Sequence, residues 1–248
     1  MRRAVAPENP RQRPRAGRSN AAFMELVRAI VSGDTEKASR LVANSENLAR
    51  ERAAVGASRA TAEPYFFEEI RHYMYAGDTA LHMAAAGFRC EICRDLIARG
   101  ADCSARNRRG AEPLHYASDS NRWDPAAQAA TIDCLIRAGA SPNAIDKSGV
   151  APLHRAVRTR CAAAVETLLA GGADPRRRNN NGSTPLHLAV QTTGRGGSGT
   201  AHAIAQQRQI IVLLLRSGAK ADDRDGQGHA VYDVAMSDGV RELLSSLL

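Results

Sequence analysis

Thr184-Pro-Leu-His-Leu-Ala189 decides how this chain is read, because the same word recurs along it. It returns as Thr79-Ala-Leu-His-Met-Ala84, as Glu112-Pro-Leu-His-Tyr-Ala117 and as Ala151-Pro-Leu-His-Arg-Ala156. A second word follows each copy: Leu96-Ile-Ala-Arg-Gly-Ala-Asp102, Leu135-Ile-Arg-Ala-Gly-Ala140, Leu168-Leu-Ala-Gly-Gly-Ala-Asp174 and Leu214-Leu-Arg-Ser-Gly-Ala219. Self-similarity of this kind marks a stacked architecture, in which each unit is a small motif that cannot bury its apolar face alone. Leu81 to Leu114 and Leu153 to Leu186 are both 33 residues apart.

The departures from that period locate insertions. From the second apolar residue of the trailing word to the next motif leucine the interval is always 17, as from Ile97 to Leu114, Ile136 to Leu153 and Leu169 to Leu186. Within a unit it is 16 from Leu81 to Ile97, but 22 from Leu114 to Ile136 and 29 from Leu186 to Leu215. Two units therefore carry extra residues between their helices, around 118–128 and 191–207. Leu26 to Val42 is again 16, with Gly33 at the turn, so 21–50 reads as a degenerate first unit followed by an insertion over 51–72. Regular repeats occupy 73–227. Tyr232 to Leu248 is 16 once more, with Gly239 on the expected turn, which makes 228–248 a terminal cap.

This pattern resembles the ankyrin repeat, whose period and T-P-L-H word it shares. The resemblance implies an all-α fold with short β-hairpin fingers, a solenoid of about six helix-pair units. The residues agree with that fold. Ala84, Ala117, Ala156 and Ala189 let neighbouring inner helices approach, and Pro113, Pro152 and Pro185 suit a first helical turn. Gly100, Gly139, Gly172 and Gly218 suit helix ends at positive φ, and the Asp/Asn-x-x-Gly stretches suit tight finger turns. In the family the recurrent imidazole, here His82, His115, His154 and His187, hydrogen-bonds within and between repeats, with the motif Thr assisting. Glu112 and Ala151 replace that Thr and Asp233 replaces the last His, so the network is expected to be incomplete in the third and sixth units.

Composition narrows the function. Aromatics are 4% of the chain, as small-residue helix packing requires. The net charge of +8 is concentrated: residues 1–20 hold six of the 34 Lys and Arg and one of the 26 Asp and Glu. That stretch reads as a disordered basic tail, with prolines set against a helix. Five cysteines, an odd number, argue for free thiols in a reducing, cytoplasmic setting. No run of about 18 apolar residues spans a membrane. A residue repeated in every unit cannot be a unique catalyst, so the histidines read as structural. In Cys90-Glu-Ile-Cys93 the second cysteine falls on a core slot, as does Cys103, and there is no second pair to complete a zinc site. The Gly-rich stretch 194–199 lacks the ending of a phosphate loop. The expectation is therefore no enzyme, no metal and no cofactor.

Ankyrin arrays bind protein through finger tips and the inner-helix face, and the resemblance carries these roles onto Arg108, Arg109 and Ala111, onto Lys147, Ser148 and Val150, and onto Asn180, Asn181 and Ser183, with Arg158 at an inner-helix end. Basic clusters at 106–109 and 176–178 make an acidic protein surface the expected partner. Trp123, the only tryptophan, lies in the third-unit insertion. Residues 64–75 hold five of the ten aromatics, among them Tyr65, Phe66 and Tyr73. Phe66, Ile70 and Tyr73, with Phe67 and Met74, fit one helical stripe, which either packs over the first finger or stays exposed for a partner. The reading is of a monomeric interaction scaffold, with nucleic acid not expected as a ligand of the body. The alternative is association of the basic tail with nucleic acid or another anionic surface.

Overall fold

The computed structural model of the protein describes residues 14–45, 47–119, 123–191 and 200–247. Five helix pairs stack in chain order: α1 (Pro14–Ser32) with α2 (Thr35–Asn44), α3 (Ala80–Ala86) with α4 (Cys90–Ala98), α5 (Pro113–Ala117) with α6 (Pro125–Arg137), α7 (Pro152–Arg158) with α8 (Ala162–Ala170), and α9 (Pro185–Ala189) with α10 (Ala201–Arg216). A single helix, α11 (Asp238–Leu247), closes the described chain. Inner helices α3, α5, α7 and α9 pack on one another, as do outer helices α4, α6, α8 and α10. One apolar core runs from Phe23 and Leu26 to Val240 and Leu244. The alanines anticipated at the inner interfaces, Ala84, Ala117, Ala156 and Ala189, are all buried.

The fingers are tight turns closed by paired backbone hydrogen bonds, such as Asn107 N–H to Ala111 O at 3.0 Å with Gly110 N–H to Asn107 O at 2.8 Å, and Asp146 N–H to Val150 O with Gly149 N–H to Asp146 O, both 3.0 Å. They are also bonded tip to tip. Arg108 N–H donates to Ala76 O, Lys147 N–H to Arg109 O, Asn180 N–H to Ser148 O and Gly226 N–H to Asn181 O, at 2.9–3.1 Å. Gly182 shows what this closeness demands. Its φ is +74°, and a Cβ there would lie 2.8 Å from Gly226 Cα, so only glycine fits.

Four features differ from the sequence reading. Helix α1 begins at Pro14, so the stretch read as tail through residue 20 is helical from Pro14 on, because proline at a helix start loses no bond. Residues 1–13 lie outside the described residues. The insertion holds a hairpin instead of a helix: after a 3-10 turn at Glu63–Tyr65, β1 (Phe66–Phe67) pairs antiparallel with β2 (His72–Tyr73). Aromatic cross-strand packing favours that outcome, with the Phe66 and Tyr73 rings 4.8 Å apart. Arg71 takes φ +47° in the connecting turn.

The insertions of the third and fifth units are partly absorbed as longer outer helices. α6 has 13 residues and α10 has 16, against nine in α4 and α8. Each lengthened helix carries a buried glutamine whose amide donates to the end of the preceding inner helix: Gln128 to Ala117 O at 2.9 Å, Gln207 to Ala189 O at 2.7 Å. The Gly-rich stretch 194–199 lies outside the described residues. Finally, the sixth unit has no inner helix. Residues 231–234 form turns, and Gly239 sits in the first turn of α11 and not between two helices.

Candidate functional site

Each motif histidine is a bracket between two units. His82 Nδ1 accepts the Thr79 N–H at 3.1 Å, and Nε2 donates to Ala111 O at 3.1 Å. His115 bridges Glu112 N–H to Val150 O, His154 bridges Ala151 N–H to Ser183 O, and His187 bridges Thr184 N–H to His229 O. The backbone part of the network is therefore intact in the third unit despite Glu112. Only the hydroxyl link is lost there, since threonine supplies it at His82 and His187 alone, at 3.0 and 2.8 Å. In the sixth unit Asp233 still accepts the Ala230 N–H at 2.8 Å, but an aspartate has no second nitrogen to reach onward. Burial pushes His82 down to about 4 and His115 to about 3. Both stay neutral, as donation from Nε2 alone requires.

The inner-helix face and the fingers of the third and fourth units enclose a groove of about 700 Å³, walled at one end by the hairpin. Its floor is polar and fully committed. Asp78 is buried at 0% exposure and accepts the Tyr75 N–H at 2.6 Å, Asn107 Nδ2 at 2.8 Å and the Tyr116 hydroxyl at 2.8 Å. None of these donors is charged, and burial pushes Asp78 up to about 6. Beside it His72 packs on Tyr116 with rings 4.4 Å apart and is lowered from its ordinary value by burial. Across the floor Arg155 joins two carboxylates, Asp119 at 3.1 Å and Asp146 at 2.9 Å. Burial works against Asp146 ionising, but the Arg155 bond and the Ser148 and Val150 N–H bonds hold its carboxyl below the usual range.

The rim carries exposed cations and aromatics. Arg108 and Arg109 both lean over the Tyr75 ring, their guanidinium carbons 5.5 and 5.0 Å from its centre. Arg108 is further tied to Ala57 O. Arg158, the last residue of α7, is exposed on the same groove, as is Tyr73 at 37%.

Of the residues expected to meet a partner, Arg109, Ala111, Ser148, Val150, Arg158 and Tyr73 line this one groove. Ala111 is a correction: it is 1% exposed and its carbonyl holds His82, so its side chain faces the core. Arg108, Lys147, Asn180 and Asn181 are exposed on finger tips outside the lining, and Ser183 is half-buried beside them. Tyr65 and Phe66 are half-buried in the insertion. Trp123 is exposed at 56% and stands edge-on to His202, 4.6 Å away, joining the third-unit insertion to α10.

Half of the arginines in the basic clusters, Arg106, Arg176 and Arg178, link neighbouring fingers. Arg52 donates to Arg106 O at 2.8 Å, Arg106 to Ile145 O, and Arg178 to Arg224 O, while Arg176 pairs with Asp223 at 2.6 Å. Sequence reasoning missed Asp78, His72, Asn107 and Tyr116 as one cluster. The available signal was an aspartate in the slot that holds Ala111, Val150 and Ser183, with the only tyrosine on an inner helix one unit later.

A family model of ankyrin repeats (many copies) matches residues 135–189, and the ankyrin repeat model matches 76–108 and 181–226. Together these cover just over half of the chain, which belongs to the ankyrin repeat family. Ankyrin repeats mediate protein–protein interaction. No helix among the described residues is long and apolar enough to cross a membrane.

Proposed function

We propose that this protein is a non-enzymatic, monomeric scaffold that holds a protein partner on its finger tips and inner-helix face. The groove carries this reading: Arg109, Ser148, Val150 and Arg158, marked as partner-facing by their repeat positions, line one concavity together with the exposed Tyr73 of the hairpin. Arg and Tyr are the side chains that anchor protein interfaces. Asp78, Asp119 and Asp146 are hydrogen-bonded to neighbouring side chains and His72 is bonded through Nδ1 to Tyr73 O, which supports a structural role for these groups. Five thiols, four of them buried, support a reducing, cytoplasmic setting. The alternative, anchoring through the basic tail, rests on side chains of residues 1–19, which lie outside the described ones.

The test is affinity capture from cell lysate with the wild type and with Lys147→Trp/Asn181→Arg, which adds bulk to two exposed tips outside the groove lining. Proteins captured by the wild type and lost by the variant support the finger surface. Unchanged capture rules it out.

A further inference from the structure

We propose that the groove is the binding site of an extended, carboxylate-rich peptide segment, gripped between Arg109 and Arg158 and laid against Tyr73 and Tyr75. The proposal rests on the scaffold reading above and specifies the chemistry of the partner. It begins with charge accounting. The acidic groups in the floor are held in place: Asp119 and Asp146 share the single guanidinium of Arg155, which leaves one of their two charges uncompensated, and Asp78 is closed off beneath Tyr75, Asn107 and Tyr116. The rim differs. Among the described residues, Arg109's guanidinium leans on the Tyr75 ring with no hydrogen bond or ion pair of its own, and Arg158 likewise makes neither. A guanidinium stacked on an aromatic face keeps its edge donors aimed outward, the geometry that receives a carboxylate through paired N–H bonds.

The placement of the cations suits an extended ligand. Arg109 sits on the finger of the third unit and Arg158 ends α7 in the fourth, so the groove takes its two cations from different units. An extended chain advances about 3.3 Å per residue, so acids a few positions apart can follow the groove from one unit to the next. The hairpin contributes what a regular array of this kind lacks, a wall at one end. Tyr73 stands exposed on it, and its ring lies 6.4 Å from that of Tyr75. Together they give a backbone an aromatic surface to lie on.

Fluorescence anisotropy with a labelled twelve-residue peptide of alternating Glu and Ser tests the proposal on the full chain. The wild type is expected to bind it, about fivefold or more weakly when salt rises from 50 to 300 mM, because rim charges are screened. Arg109→Glu and Arg158→Glu should each weaken binding by at least about fivefold, and Tyr73→Ser by about twofold. Arg177→Glu, on a finger outside the groove, should leave it unchanged, with thermal unfolding confirming that each variant is folded. Equal binding of the Gln-for-Glu peptide, or insensitivity to both Arg109→Glu and Arg158→Glu, overturns the proposal. So does tighter binding of a neutral peptide bearing a single phosphoserine. If Lys147→Trp/Asn181→Arg abolishes lysate capture while the groove variants change neither capture nor peptide binding, the scaffold reading survives and the groove proposal fails. If peptide binding needs the groove arginines but capture ignores both sets of variants, the failure is that of the finger-surface reading.

Discussion

A neutral imidazole bracketing two repeats is stable only while it stays neutral, and that makes acid the natural stress for this protein. His82 and His115 have folded pKa values of about 4 and about 3 against an ordinary 6.5. Their contribution is full above pH 6.5 and is lost as pH falls toward those values. Each pKa unit corresponds to about 1.4 kcal/mol, so His82 alone accounts for roughly 3 kcal/mol. Asp78 runs the other way. Raised from 3.8 to about 6, it contributes fully below 3.8 and loses that contribution as pH rises through 6. Burial also lowers His72 and His154, so the histidines outweigh the single aspartate. Urea denaturation should therefore show stability falling from pH 7 to pH 4.5; a flat profile would contradict the bracket assignment. In the same series Asp78→Asn should gain on the wild type as pH rises from 4 to 7, by up to about 3 kcal/mol. Arg155 offers a sharper test. Replacing it with Met strands Asp146, whose side chain is only 10% exposed, and should cost about 3–5 kcal/mol in the same denaturation measurement.

Among the elements, the lengthened outer helices depend on glutamines that no repeat template contains. Gln207→Leu would take the side-chain donor from the Ala189 carbonyl and leave Gln191 O with Arg160 alone, and should lower stability by about 1–3 kcal/mol in thermal unfolding. Gly182→Ala forces a Cβ into Gly226 at φ +74° and should cost about 1–3 kcal/mol by the same measure. These two cases show what the sequence made legible. Gly182 was readable because finger glycines recur in register, and so were the pairs α3–α10, whose periodicity is strong. Gln207 was not, because one polar residue inside an insertion has no partner visible in one dimension. The hairpin at 66–73 was misread for a related reason: a five-aromatic run fits either period, and pairing across a turn decided it. In the groove, Arg109, Ser148 and Arg158 were found by slot, whereas Asp78 and Tyr116 lie 38 residues apart and meet only after stacking. The arginines of the basic clusters looked like one surface in sequence and separated into links and free cations once neighbouring fingers were in place.

For the molecule as a whole, stability in a stacked array is a sum over units and their interfaces, so the weakest neighbour frays first. The sixth unit has turns where an inner helix would be, and its Asp233 cannot bracket onward. Hydrogen exchange should accordingly find the amides of 230–247 opening well before those of α3 to α8; equal protection would show that α11 is held by something other than the apolar seam at Val240 and Leu244. The tip-to-tip bonds of the fingers have a different consequence. Because each tip donates a backbone N–H to the one before it and arginines clip the strands beneath, the contact side chains are set out at a fixed pitch before any partner arrives. The conformational entropy of those loops has already been spent in folding, so it is not charged again on association. A partner whose own spacing is off by a fraction of a repeat must bend itself to fit, which makes the array a gauge of length as much as of chemistry.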